Sequence, residues 1–160
     1  MKKHTISILV ENRFGALSRI SGLFSGRGYN IESLSVAPTS DPTVSRMTIV
    51  TMGDDRVVEQ IGKQLNKQID VIKVWNVSLH DAIEREMILV RVSANEKNQD
   101  EVVRASQAFG AKVVDVSNSS MALEMMGDEQ EVENFLNLLK QFGIKELIRS
   151  GTVAMLKDGK

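Results

Sequence analysis

The 160-residue sequence contains no cysteine, and only 4% of its residues are aromatic. Without thiols the chain has no disulfides, no thiolate nucleophile and no cysteine ligand for a metal. The formal net charge is −1, whereas a surface that binds nucleic acid normally shows an excess of Lys and Arg. No apolar run approaches the roughly 20 residues that span a bilayer, and the basic start "MKKHTISILVE" meets Glu11 too early for a secretory signal. We therefore expect a cytoplasmic protein that binds neither nucleic acid nor membranes.

Groups that carry catalysis or bind metals are also scarce. His4 and His80 are the only histidines, and we expect both on the surface instead of in a metal site. The acidic groups in "GDDRVVE" and "GDEQEVE" each begin a predicted helix, where carboxylates cap the helix and complement its dipole. The sequence shows no combination of nucleophile, base and metal ligands that would form a catalytic site. A stand-alone enzyme is therefore disfavoured.

The first half of the sequence alternates between strand and helix patterns. Ile6, Ile8 and Val10 alternate with polar residues over 5–11 and predict a strand. Apolar residues then take helical spacing from Ala16 to Phe24. The later patterns predict strands over 29–37 and 44–52, separated by the turn "SDPT", a helix with Val57, Val58, Ile61 and Leu65 on one face, and a strand over 69–79.

The second half repeats this order after the polar boundary "HDAIERE". The patterns predict strands over 87–94, 112–117 and 121–127, helices over 100–109 and 129–142, and an extended stretch over 146–156 with a bulge at Gly151. Met121, Met125 and Met126 cluster on one strand, where core filling is favoured over an adaptable partner surface. The fold class is α+β, with tandem ferredoxin-like βαββαβ domains over 1–80 and 81–160, each an antiparallel sheet with both helices on one face.

In each predicted domain, the sheet face opposite the helices needs a covering if it is apolar. Depending on register, that face of the first domain carries Ile31, Met47, Ile49 and Trp75, which are too apolar for a free surface. We expect pairing with a second copy, and so a homodimer or a larger assembly. The second domain covering this face is the alternative.

The segment "ENRFGALSRI" joins the first strand to the first helix. The N–H groups of Gly15, Ala16 and Leu17 should lie at the helix amino end, where they favour an anion. The amides of Asn12 and Asn30 offer donors and acceptors, so the set suits a small zwitterion. The residues alone leave a structural alternative open, in which the Asn caps a turn and the Gly relieves backbone strain. "GLFSGRG" is not a dinucleotide fingerprint, since its glycines end the helix.

The stretch "NRFGALSRISGLFSGRGYNIESLSVAPTSDPTVSRMTIV" resembles the amino-terminal signature of the small, regulatory subunits of acetolactate synthase (acetohydroxyacid synthase). The fold is similar to the ACT family of amino-acid-sensing domains, and the likeness extends over nearly the whole chain. The resemblance implies a non-catalytic chain with no cofactor of its own. Its partner would be the catalytic large subunit, which carries thiamine diphosphate, Mg and FAD.

The same resemblance implies a branched-chain amino-acid effector, valine or a relative, at the interface of two ACT domains. Carried over by motif, Asn12 and Gly15 would contact it from one subunit and Asn30 from the other, with Leu17 and Ile31 bordering its side chain. The chain would activate the large subunit and confer feedback inhibition. Another amino-acid-responsive ACT regulator with a different partner is the alternative. RNA binding is disfavoured because "SRMTIVTM" has no aromatic residue for base stacking.

Overall fold

The computed structural model describes residues 1–159. Contacts divide the chain into two compact units, Met1–Ile83 together with the segment from Thr152 onward, and Glu84–Gly151. None of the helices described in residues 1–159 has the length and apolar character needed to cross a membrane.

The first unit is a four-stranded antiparallel sheet with two helices. Its elements are β1 (Lys2–Glu11), α1 (Ala16–Gly26), β2 (Ile31–Pro38), β3 (Val44–Gly53), α2 (Asp55–Asn66) and β4 (Val71–Asn76), followed by a 3₁₀ turn over Val77–Leu79. The strand order is β2-β3-β1-β4, which is the ferredoxin-like arrangement that the sequence predicts. The last strand is shorter than predicted: residues 77–79 form the turn, whose Ser78 Oγ accepts a hydrogen bond from Thr5 N at 2.7 Å.

The core of this unit lies between the sheet and the two helices. Apolar residues of β1 and β3 pack there against one face of each helix, because period-2 and period-3.6 patterns both turn one side inward. The buried core residues are Ile6, Ile8, Val10, Ile20, Leu23, Phe24, Met47, Ile49, Val58, Ile61 and Leu65.

The structure places three of the four residues expected on the outer face toward the helices instead. Met47 pairs with Ile8 and Ile49 pairs with Ile6 across the ladder, so both point toward the helices, and Ile31 packs partly against the same core. Of the four predicted residues, only Trp75 lies on the opposite face, where it pairs with Ser7. Periodicity marks two sets of residues in a strand, and it does not say which set faces the helices when both contain apolar residues.

The outer face of this sheet is mixed, with Val50 opposite Thr5 and Trp75 opposite Ser7. Ser7 pairs with Thr48, and Arg46 Nη1 donates to Ser7 Oγ at 2.8 Å. The Arg46 guanidinium lies 4.4 Å from the ring centroid of Trp75, a cation–π contact that covers the indole. Three of the four residues on which the dimer argument rested therefore do not lie on this face, and the dimer itself stays a prediction.

The second unit repeats the plan. Its elements are β5 (Ala82–Ser93), α3 (Gln99–Gln107), β6 (Lys112–Val116), β7 (Ser120–Gly127), α4 (Glu129–Leu139) and β8 (Ile144–Leu156), with 3₁₀ turns over Lys140–Phe142 and Lys157–Gly159. The strand order is β6-β7-β5-β8. The predicted helix over 129–142 therefore ends early, and its last three residues form a 3₁₀ turn. Gly151 has φ 81°, a left-handed conformation that favours glycine at the predicted interruption of β8.

Met121 and Met125 fill the core of the second unit as predicted, whereas Met126 is exposed. The acidic residues before α2 and α4 cap these helices as predicted. The Asp54 side chain accepts a hydrogen bond from Val57 N, and Asp128 forms a reciprocal capping box with Glu131.

The prediction of surface histidines is wrong for His4 and correct for His80. The His4 side chain is 4% exposed. It lies on the helix side of β1, with Nε2 at 3.2 Å from Gly53 O.

Candidate functional site

The amino end of α1 is the feature that the sequence singled out. Gly15 occupies the cap position with φ 82° and no side-chain cap, a backbone conformation that other residues adopt at a cost. Ala16 N donates to Arg13 O at 3.2 Å, an acceptor in the loop before the helix, so this amide has no intrahelical partner but is already engaged. Within residues 1–159 the amides of Gly15 and Leu17 have no backbone acceptor, as expected for the first turn of a helix.

Asn12 holds the loop in front of this helix end. Its backbone N donates to Thr43 O at 2.8 Å, and its side-chain Nδ2 donates to Pro42 O at 3.0 Å. The side chain is thus fixed against the β2–β3 turn. This contact agrees with the alternative in which Asn12 stabilises a turn. With Nδ2 engaged, its carbonyl Oδ1 is the group left to accept a hydrogen bond from a ligand.

Arg19, which the sequence analysis did not single out, brings a cation to the same helix end. Arg19 Nη1 would lie 2.9 Å from a Cβ placed on Gly15, and Nη2 donates to Phe14 O at 3.3 Å. Its Nε donates to Asp70 Oδ2 at 2.6 Å. The position is four residues after Gly15, a spacing that places side chains on one helical face, and this spacing is the signal that could have found it.

The Arg19–Asp70 ion pair is anchored by the burial of Asp70 and by a backbone hydrogen bond to that residue. The Asp70 side chain is 4% exposed and that of Arg19 45%, while Asp70 O accepts from Glu11 N at 2.8 Å. The hydrogen bond to Asp70 is the main reason that the pKa of Arg19 is raised above its usual value. The guanidinium is charged at any physiological pH, and Asp70 orients it toward the helix end.

Asn30 and Ile31 lie far from this helix end within one chain. Ile31 pairs with Thr51, and Thr51 pairs with His4 near the start of β1, whereas Asn12 follows its last residue, Glu11. From residue 4 to residue 11, β1 rises about 23 Å at roughly 3.3 Å per residue. An amino acid cannot bridge that distance, so the structure does not bring the predicted set together in a single chain. Asn30 Nδ2 instead donates to Glu32 Oε1 at 2.9 Å.

The helix end is open on its apolar side. Phe14 and Leu17 are both exposed next to Gly15, and the loop has no acidic side chain within hydrogen-bonding distance of the free amides in residues 1–159. Two unpaired N–H groups, a guanidinium and an amide oxygen thus lie beside exposed apolar surface. Such an arrangement can bind a small carboxylate and offers no group for covalent chemistry. The described residues also contain no cluster of three side chains able to hold a metal ion.

Two βαββαβ units, the first with a glycine-capped helix end, define a tandem ferredoxin-like protein. The family model described as an acetohydroxyacid synthase small subunit-like ACT domain matches residues 6–73. The model described as the small subunit of acetolactate synthase matches residues 85–158. Together the two models cover most of both units.

Relatives match over the full length. A probable acetolactate synthase small subunit of Archaeoglobus fulgidus is 51% identical over 99% of both chains. The acetolactate synthase isozyme 3 small subunit of Escherichia coli is 45% identical over 99% of this chain and 98% of its own. The crystal structure of the small subunit from Thermotoga maritima superposes with a TM-score of 0.87 at 37% identity, covering 98% of each chain. The chain belongs to the acetolactate synthase small-subunit family.

Proposed function

We propose that this chain binds the catalytic large subunit of acetolactate synthase, raises its activity and makes it sensitive to feedback inhibition by valine. The reaction, in which pyruvate joins a second 2-oxo acid, belongs to the large subunit with its thiamine diphosphate, Mg and FAD. Family membership supports the partnership. The observation that carries the effector site is the glycine-capped end of α1 with Arg19 beside it.

At that helix end, the carboxylate of the amino acid binds the amides of Gly15 and Leu17 and the guanidinium of Arg19. The helix dipole and the fixed cation act on the same charge, and a hydrogen bond to a charged group contributes about 1.5–3 kcal/mol. The ammonium binds the Oδ1 of Asn12. Leu17 borders the aliphatic side chain.

A second copy of the chain completes the site. Because Asn30 and Ile31 lie at the opposite end of the sheet from Asn12, they reach the effector only from a partner subunit. The effector therefore links two ACT domains and favours one arrangement of the dimer. A shift between two arrangements changes the surface that the dimer offers to the large subunit.

This coupling must be reciprocal. If valine changes the affinity of this chain for the large subunit, binding of the large subunit must change valine affinity by the same factor, about 5- to 150-fold for a typical coupling of 1–3 kcal/mol. Calorimetric titration of valine into the chain alone and into the reconstituted complex measures that factor. Equal affinities in the two titrations would contradict the mechanism.

Reconstitution tests the proposal as a whole. Acetolactate formation is measured for the large subunit alone, for this chain alone and for the mixture, each across a valine titration. We expect no product from this chain, higher activity in the mixture, and a valine-dependent loss of that gain. Isoleucine and leucine are titrated in parallel, because a methylene or its placement changes affinity by only about 1–3 kcal/mol in an apolar pocket. Equal activity of the large subunit with and without the chain would refute the proposal.

A further inference from the structure

Two cations and an indole lie together on the outer face of the first sheet. In β1, Leu9 lies opposite Arg46 of β3 and opposite Lys73 of β4. Ser7, two residues earlier and therefore on the same face, lies opposite Trp75. We call Arg46, Lys73 and Trp75 the basic patch, and all three residues belong to the first unit.

The indole of Trp75 holds both cations. Arg46 Cζ lies 4.4 Å from the ring centroid, and Lys73 Nζ lies 4.7 Å from it, which are distances of cation–π contacts. Arg46 Nη1 also donates to Ser7 Oγ at 2.8 Å. These contacts restrict two long side chains that would otherwise lose conformational freedom on binding a partner, so the basic patch is preorganised.

The positive charge of the basic patch is not neutralised within residues 1–159. Neither Arg46 nor Lys73 forms an ion pair with a carboxylate in this part of the chain. Glu11, two residues after Leu9 on the same face, already pairs with Arg13 at 2.8 Å. Because the potentials of the two cations add, the basic patch attracts an anion more strongly than a single surface cation does.

The basic patch is accessible from solvent. Arg46 and Lys73 are exposed, and Leu9 and Trp75 are half-buried. Only the floor beneath the guanidinium is closed, since Ser7 is 2% exposed. A carboxylate can therefore reach the remaining N–H groups of Arg46 and the ammonium group of Lys73 without any movement of the core.

Charge decides which kind of molecule fits the basic patch. A second copy of the chain is a poor occupant, because a twofold axis through the patch would bring Arg46 and Lys73 against their own copies. Nucleic acid is disfavoured by the formal net charge of −1 for the whole chain. A protein surface that carries carboxylates complements both cations, and the half-buried Leu9 and Trp75 add apolar contact area beside them.

We propose that the catalytic large subunit docks on the basic patch through carboxylate side chains that pair with Arg46 and Lys73. The docking site depends on the partnership with the large subunit proposed above, and it is independent of the effector site. Because the contact is electrostatic and lies at exposed charges, a higher salt concentration must weaken it.

The test measures the affinity of the large subunit for the full chain by biolayer interferometry, at low and at high concentrations of NaCl. The patch variant, Arg46→Met with Lys73→Met, removes both charges and keeps unbranched side chains that can pack on Trp75. Arg56→Met with Lys67→Met is the matched control. Both of its residues are exposed, they lie on and directly after α2, and the change in net charge is the same.

At low salt, the patch variant should bind the large subunit about tenfold more weakly than the unchanged chain does, and it should lose most of the salt dependence. The control variant should keep the affinity and the salt dependence of the unchanged chain. Equal affinity and equal salt dependence of the two double variants would overturn the proposal.

A single substitution keeps the test valid if the patch variant is less stable in thermal unfolding. Lys73→Met alone leaves the Arg46–Ser7 hydrogen bond in place, and it should weaken binding by about threefold at low salt. Unchanged binding by this single variant would also count against the docking site.

Two controls separate this docking site from the other proposals. If the large subunit does not bind the unchanged chain, the partnership itself is refuted, and the docking site with it. If it binds the unchanged chain and the patch variant equally, only the docking site is refuted. Sedimentation of the chain alone tests the other occupant, since a change of self-association in the patch variant but not in the control would assign the basic patch to a second copy and overturn the proposal.

Discussion

The guanidinium of Arg19 lies directly against Gly15: a Cβ on that glycine would stand 2.9 Å from Arg19 Nη1. The contact joins two features that attract an anion, the bare amino end of α1 and a fixed cation. Asp70 keeps the cation in place through a 2.6 Å hydrogen bond.

Gly15→Asp should weaken inhibition by valine and leave activation of the large subunit intact. The new carboxylate takes the position of the effector's own and pairs with Arg19, and we expect the valine concentration for half-inhibition to rise about tenfold or more, the loss of one charge-assisted hydrogen bond. Gly28→Asp is the control, because Gly28 also has positive φ but a Cβ there meets nothing within 4 Å. Unchanged valine sensitivity in Gly15→Asp would exclude the site.

Arg19→Met should lower stability because it leaves the buried carboxylate of Asp70 without its cation. We expect a lower free energy of unfolding, and the half-exposed position of Arg19 limits the loss. Urea denaturation measures it.

The double variant Arg19→Met/Asp70→Asn removes the unpaired charge and should recover part of that stability. It should not recover valine binding, which needs the guanidinium. Recovery of both, measured by denaturation and calorimetry, would show that Arg19 is only structural.

Asp128→Ala should destabilise the second unit by about 1 kcal/mol, with up to about 2 for a strong cap. Asp128 Oδ1 accepts from Glu131 N at 2.8 Å, and Glu131 Oε2 accepts from Asp128 N at 2.8 Å. Asp128→Asn is the control, since Asn caps about as well as Asp. Thermal unfolding compares the three chains, and equal losses for Ala and Asn would indicate that capping is not the cause.

Asp41 should titrate below the usual aspartate pKa of about 3.9. Its Oδ1 accepts from Thr43 Oγ1 at 2.7 Å and from Thr43 N at 2.9 Å. These bonds, the side-chain one first, lower the pKa of Asp41. A lowered folded-state pKa contributes stability that is present above the unfolded pKa and lost as the pH falls through the folded value.

The pH window for that loss is therefore below about pH 4. Carboxyl carbon chemical shifts followed by NMR measure the titration. Thr43→Val removes the hydroxyl donor and keeps the backbone one, so the Asp41 pKa should move up toward its usual value. No change in that variant would assign the lowering to the backbone donor alone.

Residues 5–11 show what a local pattern can predict. The alternation of apolar and polar residues there predicts a strand, and the apolar spacing from Ala16 to Phe24 predicts a helix. Both patterns depend only on residues a few positions apart. The glycine at position 15 and the caps at Asp54 and Asp128 follow from the same local chemistry. Predicted ends were less accurate where a 3₁₀ turn continued the pattern, as after Asn76 and Leu139.

Met47 and Ile49 show where local pattern fails. Both faces of β3 carry apolar residues, so the pattern did not reveal which face packs on the helices, and the sequence placed both residues on the wrong one. His4 was likewise expected on the surface, yet it is buried beside Gly53, 49 residues away. These outcomes depend on strand pairing and helix packing, which bring distant residues together.

The sequence alone determined the element order, the tandem βαββαβ plan, the glycine at the helix end and the family resemblance, because these reside in spacing and residue type. The tertiary structure decided which face is buried, that Arg19 and Asp70, 51 positions apart, meet at the α1 end, and that Asn12 and Asn30 lie at opposite ends of the sheet. Side-chain contacts between distant segments arise only when the strands pair and the helices pack.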